Sequence, residues 1–175
     1  MPIVSDSSPL IWLSKIGRIT LLKTLYGEVH VPEEVYNEVV TRGLNEGFSD
    51  ALAVKECVTQ GWIRVKTLDE SGAKRCQMIT EHAHEIHLGE AQAIILAQTG
   101  NMHLLMDESC GRAFAETWGL RVRGTVYVIL KSLREGLLIQ DEAKEALIGM
   151  INKGFRIEPR LLTRVLKEID NFTAK

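Results

Sequence analysis

Cysteine is scarce in this chain: Cys57, Cys76 and Cys110 form no CxxC pair and no even set, which excludes a disulfide scaffold and points to reduced thiols in a cytosol. There are only four prolines and no biased segment, so neither a fibrous nor a disordered chain fits. Apolar runs fall far short of a membrane span. The opening Met1-Pro2-Ile3-Val4-Ser5-Asp6 lacks the basic and apolar regions of a signal peptide. A cytoplasmic protein without membrane contact is the expectation. GxGxxG and P-loop patterns are missing, so no nucleotide cofactor is indicated, and no internal repeat occurs. A basic surplus is missing too. The net charge is −2 and the pI about 6.2, whereas proteins that hold nucleic acid by phosphate neutralisation alone are usually more basic. Nucleic acid is not thereby excluded, because a carboxylate metal site would pull the balance negative.

What is present is an ordinary globular composition, 45% hydrophobic and 25% charged over 175 residues, enough for one domain with a substantial core. Strands and helices alternate along it. Met1–Ser5 reads as a buried strand, followed by Ser8 as helix cap with Pro9 first in the helix. Ile19–Tyr26 reads as a helix, Val29–Val31 as a strand, and Pro32-Glu33-Glu34 as the start of another helix. Arg42–Ser49 is the most loop-like stretch. A helix at Asp50–Val58 and a strand at Trp62–Val65 follow, and Asp69–His87 is ambiguous. Gly89–Thr99 is a strong helix, Leu104–Met106 a strand, Glu108–Trp118 a helix, and Arg121–Arg123 an edge strand. Such alternation predicts an α/β fold with a parallel sheet. Amphipathic helices are expected at Thr125–Arg134, Asp141–Asn152 and Pro159–Ile169, the last with a stripe of Leu162, Val165, Leu166 and Ile169. The expected division is a domain over residues 1–138 and a helical extension over 139–175 packed on it.

Sites in parallel α/β sheets form beyond the carboxyl ends of the strands. Asp6 ends the first strand, and Asp107 and Glu108 end the Leu104–Met106 strand. Any one of these acids is explained as a cap on the next helix; all three together are less so. Glu90 shares a helical face with Ala93, Ile94 and Ala97, so a carboxylate heads an apolar stripe. Burying an unpaired charge costs several kcal/mol on the order seen in proteins, more than the roughly 0.3–1 kcal/mol a first-turn acid gains from the helix dipole. Glu34 and Glu38 lie one helical turn apart, and spacing alone leaves both pointing either at the sheet edge or at solvent. Several carboxylates in one cleft stay ionised only with cations beside them. Mg²⁺ or Mn²⁺ with oxygen ligands would answer that need and activate water against a phosphodiester.

The segments Val4-Ser5-Asp6-Ser7-Ser8-Pro9-Leu10-Ile11, Val31-Pro32 with Val35-Tyr36-Asn37-Glu38-Val39, Gly89-Glu90-Ala91-Gln92-Ala93-Ile94, Leu104-Leu105-Met106-Asp107-Glu108, and Gly119-Leu120 with Val122-Arg123-Gly124-Thr125 resemble, in order and spacing, the PIN-domain family. The likeness is to a branch of short prokaryotic PIN-like proteins described as nucleic-acid-binding. It runs to about Leu130, and the terminal helices are similar to that branch as well. The resemblance implies a three-layer fold, a central parallel sheet between helices. It implies a Mg²⁺- or Mn²⁺-dependent ribonuclease, commonly the toxin of a type II toxin–antitoxin pair, with RNA as substrate, an antitoxin protein as partner, and often a homodimer. Its first acid matches Asp6, its second Glu38, its third Glu90, and its fourth falls at Asp107 and Glu108. Asp6, Glu90, Asp107 and Glu108 would then hold metal, with Glu38 completing the shell or orienting water. Met106 stands two places before Glu108, where many members have Thr or Ser. That departure and the acidic pI leave a second expectation, a PIN-fold module that binds nucleic acid or protein with little or no catalysis. A third is a structural partner whose terminal helices dock another chain.

Other groups carry weaker signals. His82, His84 and His87 lie near Glu81 and Glu85, but HEIH is not the HExxH zinc pattern, and an exposed polar helix or loop is the simpler expectation. Arg112, Lys15 and Arg18 could reach a phosphate, though ordinary solvated charge is the default. Trp12 is expected in the core.

Overall fold

The computed structural model describes residues 2–172, so Met1 of the expected first strand and residues 173–175 of the expected extension lie outside the described part. Five strands form one wholly parallel sheet: β1 (Ile3–Ser5), β2 (Val29–Pro32), β3 (Ile63–Lys66), β4 (His103–Leu105) and β5 (Val122–Arg123), in the order β3-β2-β1-β4-β5. The chain builds outward from β1 to β3, then crosses back to lay β4 on the other side of β1. The gap between the carboxyl ends of β1 and β4 is therefore the place where the winding reverses, the usual position of a site in such sheets.

The period-two alternation of a strand assigns each side chain to a layer. Ile3 and Leu105 join a large core shared with α1 (Ser7–Lys15), α2 (Thr20–Tyr26), α5 (Ser49–Thr59) and α9 (Thr125–Arg134). Val4, Leu104 and Met106 face the opposite layer, where they meet Ala93, Ile94 and Ala97 of α7 (Leu88–Thr99) and Ala115 of α8 (Ser109–Thr117). Behind that layer, Cys76 and Ile79 of α6 (Glu70–His82) pack with Ile95. Both faces of the sheet are covered, as an all-parallel sheet requires. The α/β class and its helix-flanked parallel sheet are those the sequence predicts. The terminal helices α10 (Gln140–Asn152) and α11 (Pro159–Asp170) send Ala143, Leu147, Met150, Val165 and Ile169 into the same cluster as Leu10 and Val128.

Three local expectations are corrected. α1 starts at Ser7, with Asp6 rather than Ser8 in the cap position, because Asp6 is still extended (φ −76°, ψ 176°) as it leaves β1. Pro9 thus falls third in the helix, still within the first turn, where a missing N–H costs no intrahelical bond. Pro32 likewise precedes the helix instead of opening it: α3 is Glu33–Tyr36. It runs on through a π-helical segment, Asn37–Arg42, into the short α4, Gly43–Asn45, so the start of the expected loop is helical. Gly43 makes this possible, since a Cβ there would stand 2.8 Å from Cβ of Ala51 on α5. The ambiguous stretch resolves into α6, capped by Asp69, which accepts a 2.7 Å hydrogen bond from Gly72 N.

Candidate active site

Asp6 is held at the reversal point by its own backbone: its N–H donates to Leu105 O at 2.9 Å, tying the end of β1 to the end of β4. The residue is only 5% exposed. Together with Glu38, Glu90 and Glu108 it lines a cleft of about 660 Å³, which Glu34, Glu85, Arg42 and His87 also border. One cation against this many carboxylates makes the cleft strongly electronegative.

Burial is the main reason the Asp6 carboxyl is pushed up to about 7, opposed by its hydrogen bond with the Ser7 backbone and reinforced by the negative charges of Glu90, Glu38 and Asp107. Glu90 also sits above the ordinary carboxylate range, again chiefly through burial, with the His87 N–H and His87 pulling it down and Glu108 and Glu38 pushing it up. Its two oxygens have different lives. Oε2 accepts from His87 N at 2.8 Å, closing the first turn of α7. Oε1 is buried and has no hydrogen-bond partner among the described residues. The helix-start explanation of this acid accounts for one oxygen, and the other is left asking for a donor or a cation. A close fit surrounds it, because a Cβ on Gly111 would lie 2.6 Å from Oε1 and 2.6 Å from Met106 Sδ. Met106 itself is fully buried beneath the acids.

Glu38 lies on the exposed rim, within the π-helical segment, and Ser7 Oγ donates to its Oε2 at 2.7 Å. Glu34, on the same helical rod, is instead paired with Arg42. Asp107 departs from the group. It lines a neighbouring cavity rather than the cleft, and both its oxygens are engaged by Thr125, Oδ1 by the backbone N–H at 2.7 Å and Oδ2 by the hydroxyl at 2.5 Å. Burial raises its pKa, the Thr125 bonds and the Arg112 guanidinium work against this, and Glu108 adds to it. Gly124 permits the approach, since a Cβ there would stand 2.7 Å from Oδ1. Of the adjacent pair it is thus Glu108, exposed on the rim, that shares a cleft with Asp6, Glu38 and Glu90.

Ser7 and Thr125 are the residues that sequence reasoning missed. Each stands two residues past a strand end; Ser7 adjoins Asp6 in sequence, whereas Thr125 lies 18 residues from Asp107 and carried no local signal. The histidines disperse: His82 ends α6 and bonds Met78 O, His84 is exposed in the connection, and His87 precedes α7. Lys15 lies over the Trp12 ring at 4.8 Å and Arg18 faces Glu142 at 3.6 Å. Trp12 is half-buried at the margin of the core, edge-on to Phe155, and not within it as expected.

Among the described residues, no three His, Cys, Asp or Glu side chains already stand together as a metal-binding group. A magnesium-like ion does not need one: it typically takes one or two carboxylates, keeps its waters and shares substrate phosphate. The all-oxygen donor set and the orphaned Glu90 Oε1 suit such an ion at Asp6 and Glu90. Among the described residues no helix is long and apolar enough to cross a membrane. No curated protein matches the chain. A family model described as a PIN domain matches residues 2–171. By sequence model and by fold, the chain belongs to the PIN-domain family, a family generally of nucleases.

Proposed function

We propose that this protein is a divalent-metal-dependent endoribonuclease whose working acids are Asp6, Glu38, Glu90 and Glu108, with Asp107 supporting them from behind. The observation that carries this reading is the unpartnered, buried Glu90 Oε1 beside Asp6, a carboxyl pushed up to about 7 in a cleft lined by acids. Asp6 and Glu90 would hold Mg²⁺ or Mn²⁺, which supplies a Lewis acid for the phosphate and lowers the pKa of water. Glu38 keeps one oxygen on Ser7 and leaves the other free to orient water and accept its proton. Glu108, exposed on the rim, is free to complete the ligand shell through water. Asp107, tied to Thr125, adds negative charge that draws cations to Asp6.

Asp6→Asn and Glu90→Gln should each abolish Mn²⁺-dependent cleavage of a mixed RNA pool while leaving the fold intact by circular dichroism. Cleavage by Asp6→Asn at the wild-type rate would overturn the assignment. A second reading, a PIN-fold module that binds nucleic acid or protein without cutting, is favoured by the lack of a ready-made three-residue metal group among the described residues. Calorimetric titration with Mn²⁺ separates the two, since a module would take up no metal at millimolar concentration. The likeness to toxin ribonucleases adds an antitoxin partner and a homodimer to the proposal. Co-purification with the product of an adjacent small gene, and the mass of the free protein in solution, test these.

A further inference from the structure

The cleft that holds the acids is poorly suited to attract a polyanion, yet its neighbour is not. Asp107 borders a cavity of about 670 Å³, as large as the acidic cleft, and of the next two residues along the chain Glu108 lines the cleft and Ser109 the cavity. Four arginines line it from four different parts of the chain: Arg112 on α8, Arg123 on β5, Arg156 between α10 and α11, and Arg164 on α11. None forms an ion pair with a carboxylate among the described residues. Of the acids on the same walls, Glu168 is taken by Arg134, which leaves Asp107, Glu116 and Glu158 against the four arginines. The free charges therefore favour the cations here and the anions in the acidic cleft. Tyr127, with the Arg123 guanidinium 5.2 Å from its ring centre, and Phe155 add aromatic surface between the arginines.

Cations spaced along a groove and interleaved with rings are what a single-stranded nucleic acid uses, phosphates on the one and bases against the other. We propose that this arginine-lined cavity is the RNA track. The strand lies across α11 and the α10–α11 connection, passes Arg123 and Arg112, and delivers one phosphate over the Ser109–Glu108 corner to Asp6 and Glu90. This rests on the ribonuclease reading of the acidic cleft. It assigns to the terminal helices the job of holding substrate, with Arg156 and Arg164 as exposed phosphate contacts outside the catalytic acids.

The test is binding without metal, so that no cleavage intervenes. A 5′-labelled single-stranded RNA is titrated by fluorescence anisotropy in EDTA against the wild type, against Arg156→Ala/Arg164→Ala, and against Lys23→Ala/Lys55→Ala. The last pair removes the same charge from exposed positions on α2 and α5. The arginine pair should weaken binding at least tenfold and flatten the slope of log K against log salt by about 1.4, two phosphates at roughly 0.7 each for a single strand. The lysine pair should stay within twofold of wild type. Equal loss from both pairs, no loss from the arginine pair, or no RNA binding by the wild type would each overturn the track. Failure of the nuclease reading shows up elsewhere, as a wild type that binds RNA in EDTA but does not cut it when Mn²⁺ is added.

Discussion

At the scale of single residues, a proton sits on Asp6 where the proposed site would hold a cation. Asp6 titrates near 7 in the folded chain against 3.8 for an ordinary aspartate, so the folded state holds its proton through a range where the unfolded chain has lost it. With more protons bound to the native state, stability must fall as pH rises from about 4 to about 7 and stay reduced above. Three pKa units correspond to about 4 kcal/mol as an upper figure. The metal-free wild type should therefore melt at a lower temperature at pH 8 than at pH 5 by more than Asp6→Asn does, and millimolar Mn²⁺ should remove the difference between them. Calorimetric scans at the two pH values check this; parallel pH profiles for both proteins would count against the buried-acid account. Gly111 gives a second residue-scale prediction. Gly111→Ala thrusts a methyl at Glu90 Oε1 and Met106 Sδ, an overpacking that should cost about 1–3 kcal/mol in urea melts. It should also weaken Mn²⁺ uptake at least tenfold, whereas a purely structural glycine would leave metal uptake alone.

At the scale of elements, the strand ends and helix starts are coupled by polar side chains from elsewhere. α9 begins after Gly124, which has no side chain with which to cap it, and Asp107 from the end of β4 does so by taking Thr125 N and Oγ1. Thr125→Val keeps the shape and deletes the hydroxyl donor from a half-buried carboxylate. The expected loss is about 1.5–3 kcal/mol where Asp107 is ionised, shrinking at acid pH as Asp107 takes up a proton; urea midpoints at pH 8 and pH 4 report it. The same scale explains what the sequence displayed and what it hid. Helix α7 was legible because Glu90, Ala93, Ile94 and Ala97 keep a 3.6-residue beat, and the buried strands were legible as short apolar runs. The end of the π-helical segment and α4 were not, because Arg42, Gly43 and Asn45 read as loop residues, and the close packing of Gly43 on Ala51 is a contact from another helix. Similarly, that Asp6, Glu90 and Asp107 lie near strand ends or a helix start could be read directly. That Asp107 turns away to Thr125 while its neighbour Glu108 borders the cleft depends on contacts 18 residues apart, which no local pattern encodes.

At the scale of the molecule, the terminal helices complete the core. Leu147, Met150 and Ile169 are fully buried in the same cluster as Leu13 and Val128. Ending the chain after Leu138 would bare that surface on α1 and α9, and burial contributes roughly 25 cal/mol per Å². The shortened chain should show no cooperative thermal transition and should bind a hydrophobic dye; a sharp melt would mean that residues 139–175 are a separable appendage.

β1 is the middle strand, hydrogen-bonded to a neighbour on each side, and Asp6 continues directly from it. Fraying begins at the rims of a sheet, so the last part of this molecule to loosen is the part that positions its first acid. On the ribonuclease reading proposed above, heat or denaturant should then extinguish cutting only as the whole fold is lost, with no half-open, idle form along the way. On that reading, an acid anchored so deeply gives the enzyme no easy internal off-switch. Restraint has to be imposed from outside, by whatever blocks the cleft or withdraws its ions.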